Sequence, residues 1–179
     1  MATVALIVCW VVWGAAFVGP LMRSGRRRAA VTESRSLWGA LLEMSAFLVA
    51  LVFRDPAVAP WRSLGALCLA PAAPLAAWWE VAHLGKQFRV RAGLYPDHDL
   101  VRTGPYRLVR HPIYLSVLLL LVATGLQFSR WPALLAALAL FIAGTEFRVR
   151  VEDRLLAERF GASFQDYRSK VRAYIPFLR

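Results

Sequence analysis

The side chains equipped for chemistry gather in one stretch, His98 to Tyr114, which reads HDLVRTGPYRLVRHPIY. His98, Arg102, Arg107, Arg110 and His111 surround a Gly104–Pro105 breaker and a second proline, Pro112. An almost purely apolar run follows at once. A polar knot at the mouth of an apolar segment suits a binding site at a membrane face. A basic interfacial loop that only anchors the protein to phospholipid headgroups has the same composition. A second cluster lies further on, where Arg148 and Glu152 stand four apart. On a helix they project from one face, a turn apart, with Glu146 and Asp153 nearby on other faces. Such a pair is either an ordinary surface ion pair or a site. In the second case the arginine grips an anionic group in bidentate fashion, and the glutamate holds hydroxyls or a cation.

The remaining candidates narrow the chemistry. His111, before Pro112 at a helix entrance, suits a general base, a hydrogen-bond donor or a helix-start group with no catalytic part. His83, His98 and His111 share no metal-ligand spacing, and neither cysteine is near them in sequence, so no metal site is expected. Gly104 stands alone, without a nucleotide-binding glycine signature, and no strained nucleophile turn suggests a Ser-His-Asp arrangement. Tyr106, Tyr114 and Tyr167 are expected as headgroup-level belt residues.

These residues must be positioned by membrane helices. The chain has 179 residues, 59% of them hydrophobic, and a net charge of +11. The apolar residues fall in blocks, the signature of a membrane protein. The positive charges lie between the blocks and not along one soluble face, which excludes nucleic acid as partner and favours anionic headgroups. Cys9 and Cys68 lie inside apolar segments, so no disulfide framework is expected. The first block has no basic residues before it and its arginines after it, which predicts a retained span and not a cleaved signal.

Spans are expected at Ala2–Met22, closed by Arg23, Arg26, Arg27 and Arg28, and at Leu37–Phe53. Glu43, the one charge of the second span, should face the bundle interior or a wet cavity. A third span runs from Ser63 to about Trp79, with Pro71 and Pro74 expected to kink or open it. Glu80 to Arg110 reads as a long polar connection. Ile113–Phe128 and Trp131–Phe147, joined only by Ser129 and Arg130, form an antiparallel hairpin. The last helix continues to about Arg159, Gly161 ends it, and a short basic helix follows from Ala162 to Arg172. With the amino terminus outside, Arg54, Arg62 and Arg130 are the outer cations, and the other 19 of the 22 lysines and arginines are inside. This asymmetry places the long loop and the carboxyl-terminal tail together on the cytoplasmic face. The expectation is an all-α, polytopic membrane protein of about five transmembrane helices. It divides into a three-span region, residues 1–80, on the acceptor side, and a region of loop, hairpin and tail, residues 81–179.

The stretch His98–Tyr114, then an apolar hairpin, then RVRVEDRLLAERFGASFQDYRSKVRAYIPF, resembles the isoprenylcysteine carboxyl methyltransferase family. Its pattern is an H-x-L-V, a G-P-Y, an R-H-P-x-Y, and acidic pairs before L-x-x-x-F-G and a trailing tyrosine. The likeness covers His98 to Phe177; the first three spans match only in kind. It implies an S-adenosyl-L-methionine pocket closed by the connection and the tail. His98, Asp99, Leu100 and Val101 match the cofactor-contacting H-x-L-V. Tyr106 matches the tyrosine of the G-x-Y, and His111, Pro112, Ile113 and Tyr114 match the H-P-x-Y. Glu152 matches a glutamate that contacts the cofactor, and Arg148 an arginine on the substrate side. Asp153 departs from the usual second glutamate and Phe164 from a common tyrosine. Gln87 or Arg91 could supply an upstream glutamine contact.

The resemblance implies methylation of a carboxylate on a lipid-linked or apolar acceptor, with S-adenosyl-L-homocysteine as product and no metal. A sulfonium donor and a carboxylate need no strong base, so the task is alignment and removal of water. Two alternatives are a phospholipid N-methyltransferase, whose amine acceptor must lose a proton, and an NADPH-dependent sterol-type reductase with a similar R-H-P-x-Y. The G-P-Y-R before Arg110 and the short tail favour the methyltransferases.

Overall fold

In hydrocarbon a backbone amide finds its partner only within its own segment, so each apolar block becomes a helix. The computed structural model describes residues 1–25, 29–89 and 91–176. Arg26, Arg27 and Arg28, and Phe177 at the end of the family-like segment, lie outside the described residues. The helices are α1 (Ala2–Gly25), α2 (Ser36–Val52), α3 (Pro60–Leu69), α4 (Ala72–Leu84), α5 (Pro112–Phe128), α6 (Trp131–Phe160) and α7 (Ala162–Lys170). Ala2–Gly25, Pro60–Gln87 and Trp131–Phe160 are long and apolar enough to cross a membrane, and α2 and α5 are shorter apolar helices. The protein is therefore all-α, with the five apolar elements of a polytopic membrane protein.

The third element breaks where expected. Pro71 has no N–H to donate, so α3 closes with the Ala70 amide on the Ala66 carbonyl at 2.9 Å, and α4 restarts beyond it. Ala70 and Ala73 stay buried against Leu6, Leu120 and Ala123, so the break costs no packing. α4 then outruns its expected end at Trp79, continuing to Leu84 and a tight turn at Gly85–Gln87. Glu80, expected at the start of the polar connection, is instead a helical residue only 1% exposed. α6 is 30 residues long, about 45 Å at the usual rise, so it reaches beyond a ~30 Å hydrocarbon core. It stops at Gly161, whose φ of 51° glycine adopts without strain, and α7 follows directly.

α6 lies along α2 far more extensively than along its hairpin partner α5. Gly39 and Gly144 explain this. A Cβ on Gly144 would stand 2.6 Å from the Gly39 carbonyl oxygen, and one on Gly39 would meet the Gly144 carbonyl and the Arg148 side chain. The backbones touch because neither position carries a side chain. α1 is tied to α5 by Trp10 Nε1, donating to Thr124 Oγ1 (3.1 Å), and Trp13 Nε1, donating to Ser116 Oγ (3.2 Å). At one end of the bundle Arg62, 2% exposed, donates to Asp55 Oδ2 (2.7 Å) and to the Gly125 and Ser129 carbonyls at the end of α5.

The opposite end carries the polar connection and the tail. Two short strands not anticipated from the sequence, β1 (Val31–Thr32) and β2 (Gly93–Leu94), pair antiparallel and clip the α1–α2 loop to the connection. The tail runs beside the connection at Val109 and Arg172. The Arg110 and His111 amides donate to the Arg172 and Ala173 carbonyls, both at 2.8 Å.

Candidate active site

The connection, the start of α5, the second half of α6, α4 and the tail's Tyr167 enclose one cavity of about 140 Å³. Its wall includes every residue that the family likeness assigns to donor or acceptor, but not Arg102, Arg107 or Asp153. His98, Asp99, Leu100, Val101 and Tyr106 come from the connection, His111, Pro112, Ile113 and Tyr114 from the entrance of α5, and Arg148 and Glu152 from α6. Gln87 and Arg91 are both on the wall. Gln87 is buried, and its amide nitrogen donates to Asp99 Oδ2 at 3.1 Å.

His111 joins the two distant segments. Its Nδ1 is 3.1 Å from Glu152 Oε2, and its Nε2 is 2.8 Å from Asp153 Oδ1. Carboxylate oxygens only accept, so both ring nitrogens donate and the ring is an imidazolium. Burial alone would push this group down. The hydrogen bonds and charges of Asp153 and Glu152 outweigh it and lift His111 to about 9. With both nitrogens engaged, His111 is a donor and structural cation, and not a general base. Arg110 Nη2 completes the knot, donating to Asp153 Oδ2 at 2.8 Å.

Arg148 and Glu152 are not a surface pair: their side chains are 15% and 21% exposed. Arg148 Nε donates to the Tyr114 hydroxyl at 2.9 Å, and that hydroxyl donates to Glu152 Oε1 at 2.6 Å. Glu43 faces the bundle interior as expected. It accepts from Thr145 Oγ1 at 3.1 Å and from Arg148 Nη1 at 3.3 Å. The glycine crossing makes this contact possible, since Glu43 and Arg148 each lie one turn beyond a glycine of the Gly39–Gly144 pair. The three tyrosines are not belt residues. Tyr106, Tyr114 and Tyr167 are all buried, and the Tyr167 hydroxyl donates to the Tyr106 carbonyl at 2.5 Å. Burial raises the Tyr106 and Tyr167 phenols well above the ordinary range, so both act as neutral groups.

Several polar groups of the wall have no hydrogen-bond partner among the described residues. They are both carboxylate oxygens of Glu80, Gln87 Oε1, His98 Nδ1, and Arg89 Nε and Nη1. Burial pushes His98 down to about 4 against the opposing pull of Asp99, so its ring is neutral near pH 7. Unpartnered buried polar atoms are costly, and a cluster of them around one cavity is what a polar ligand satisfies. A ligand that carries a cation and hydroxyl or amino groups fits this set: Glu80 for the cation, and the Gln87 amide oxygen and neutral His98 imidazole for the hydroxyl and amino groups. Among the described residues no group of three His, Cys, Asp or Glu side chains could hold a metal ion.

Glu80 was missed because it falls where the apolar count ends. The signal that found Glu43, a lone acid in an apolar helix, applies to it equally once α4 is extended by one turn. Arg110 was read only as part of a basic stretch, since its partner Asp153 is 43 residues away.

Comparisons with known proteins fit this architecture. The profile of the isoprenylcysteine carboxyl methyltransferase (ICMT) family matches residues 66–158, just over half of the chain. The protein-S-isoprenylcysteine O-methyltransferase of Schizosaccharomyces pombe is 30% identical over 142 residues, 76% of this chain and 56% of that protein. That of Saccharomyces cerevisiae is 38% identical over 84 residues, 46% of this chain and 34% of that protein. Methanethiol S-methyltransferase 2 of Bradyrhizobium diazoefficiens is 39% identical over 77 residues, 41% of this chain and 27% of that protein. The chain thus spans between a third and just over half the length of the two yeast relatives. The matched segment runs from the last turn of α3, through α4, the connection and the hairpin, to the last turn of α6, and on it the chain belongs to the isoprenylcysteine carboxyl methyltransferase family.

Proposed function

We propose that this protein is an S-adenosyl-L-methionine-dependent methyltransferase of the membrane that esterifies the carboxylate of an apolar or lipid-linked acceptor. The observation that carries this reading is the contact of His111 with Glu152. It draws the connection and the last helix over one cavity rimmed by unsatisfied polar groups.

When bound, the donor supplies a methyl group already activated on a sulfonium. His98, Asp99, Leu100, Val101 and Tyr106, with the Gln87 amide, hold it from the connection. His111, Pro112, Ile113, Tyr114 and Glu152 hold it from the hairpin. Arg148 fixes the acceptor carboxylate, and Tyr114 and Glu43 keep the guanidinium in position for it. The buried network around His111 and Arg110 excludes water, so the carboxylate reacts with less of its hydration shell. No base is required, in keeping with a His111 whose nitrogens are both occupied; an amine acceptor would need one. Residues 1–80 form the acceptor side and residues 81–179 the donor side. The amino terminus is outside, and the connection and tail are cytoplasmic.

The relatives' names share methyl transfer but differ in the atom methylated, an oxygen in the yeast proteins and a sulfur in the bacterial one. The buried cation Arg148 favours an oxygen, that of a carboxylate. The test uses the detergent-solubilised full chain. S-adenosyl-L-homocysteine should raise its melting temperature and NADPH should not. Arg148→Ala should lower kcat/KM for an S-prenylated cysteine by about 30-fold or more, chiefly through KM, as loss of a buried charge contact does. Stabilisation by NADPH alone would reject the methyltransferase reading, and unchanged kinetics in R148A would remove Arg148 from the mechanism.

A further inference from the structure

Glu80 is unlike the other acids of the cavity wall. Asp99 accepts from Gln87, and Glu152 is held by His111 and Tyr114. Glu80 is 1% exposed, and both of its carboxylate oxygens lack a hydrogen-bond partner among the described residues. It projects from α4 among apolar neighbours, between Ala77 and Val81, which pack with Phe17 and Phe88. Four cationic side chains of the wall are engaged with other groups. Arg148 is bound to Tyr114 and Glu43, Arg110 to Asp153, and His111 to both acids of α6, while Arg89 donates to Thr32 and covers the Tyr95 ring. A carboxylate kept in such a place without a partner carries a desolvation cost that packing does not explain, because a leucine or glutamine would fill the same space. The cost is recovered when a cation enters the cavity.

We propose that Glu80 is the counter-charge for the sulfonium of the methyl donor and distinguishes donor from spent product. The inference rests on the S-adenosyl-L-methionine reading above. The donor has two cationic groups with different needs. Its ammonium requires hydrogen-bond acceptors, and these converge on the connection, at Asp99 and the Gln87 amide oxygen. Its sulfonium donates no N–H or O–H bond and is matched by charge alone, which is all that an isolated carboxylate in an apolar wall provides. In the reaction the S–CH3 bond breaks and its electron pair stays on sulfur. The methyl carbon bonds to the acceptor carboxylate oxygen, so sulfonium and carboxylate charges vanish together. Glu80 then faces a neutral thioether that offers its carboxyl group no charge partner, so the product loses an interaction that the donor had.

Calorimetric titration of the solubilised full chain with S-adenosyl-L-methionine and S-adenosyl-L-homocysteine tests this without any acceptor. In Glu80→Gln the donor should bind about tenfold more weakly or worse, with product affinity unchanged or improved. Equal weakening of both ligands, or no change in either, overturns the proposal. So does loss of methyl transfer with the donor-to-product affinity ratio intact, which would put Glu80 on the acceptor side. A wild-type protein that binds neither ligand rejects the underlying methyltransferase reading instead. Should E80Q not fold, sinefungin, which carries a protonated amine in place of the S-methyl group, provides the comparison on wild type. It should bind at least about tenfold more tightly than S-adenosyl-L-homocysteine, and equal or weaker binding overturns the proposal.

Discussion

His111 shows how much of this site is settled by single atoms. An unperturbed histidine titrates near 6.5, whereas this one is lifted to about 9 by the two carboxylates it bridges. The folded state therefore holds its proton more tightly than the unfolded chain. That stabilisation is complete below about 6.5 and is lost as pH rises through about 9. His98 works in the opposite direction. Depressed to about 4, it lowers stability as pH falls below about 6.5 and the unfolded chain takes up its proton. The melting temperature of the solubilised protein should accordingly fall between pH 7 and 10. The slope should be steeper in wild type than in His111→Asn, by an amount on the order of a few kcal/mol across the range; parallel slopes would show that His111 is not the group responsible. The sequence revealed His111 but not its state. Glu152 and Asp153 are adjacent on a helix and project about 100° apart, so they read as belonging to different faces. The imidazole sits between the two directions, a placement that only the folded connection determines.

At the scale of elements, the crossing of α2 and α6 fixes where the site's cation stands. Gly144→Val would place a branched side chain against the Gly39 carbonyl and the α2 backbone. It should cost about 1–3 kcal/mol, as overpacking does, and should draw Glu43 away from Arg148. A lower melting temperature together with a raised acceptor KM is the expected result; a stability loss with unchanged KM would mean that Arg148 keeps its position without the crossing. Helix identity was legible throughout, because apolar blocks in a membrane have one backbone solution. The break at Pro71 was legible as well, from a missing donor. The end of α4 was not. Glu80 and His83 interrupt its apolar run near the end, and Val81 keeps to the buried side set by Ala77, so periodicity outlasts the hydropathy count by more than a turn.

The molecule as a whole presents large apolar side chains outward, among them Val4, Ile7, Val8 and Val11 on α1 and Trp38, Leu41, Met44 and Leu48 on α2. In water such a surface would aggregate; in lipid it is the solvated face. The two ends differ in kind. One is closed by Arg62 and the stacked rings of Trp61 and Trp131, 5.9 Å apart, and the other carries the cavity. In cells, with Cys9 and Cys68 replaced by serine, an impermeant thiol reagent should label Arg54→Cys from outside, and should reach Arg107→Cys only after permeabilisation. Labelling in the reverse pattern would invert the orientation. The charge asymmetry that predicts this orientation was plain in the sequence, whereas the β1–β2 clip was not, since two residues a side leave no periodicity to detect.

The tail meets the connection through main-chain groups: the amides of Arg110 and His111 on the carbonyls of Arg172 and Ala173. That part of the seam is indifferent to the side chains that flank it, whereas Tyr167, Ala173 and Tyr174 are buried and hold the tail by packing. The exposed positions Ser169, Lys170 and Arg172 are therefore free to drift in composition while the tail still shuts the chamber. The family profile ends at residue 158, short of a segment without which the chamber would lack one wall. A substitution in residues 168–173 should be judged by whether it spares the backbone's conformation, because proline there would do more harm than any exchange of charge.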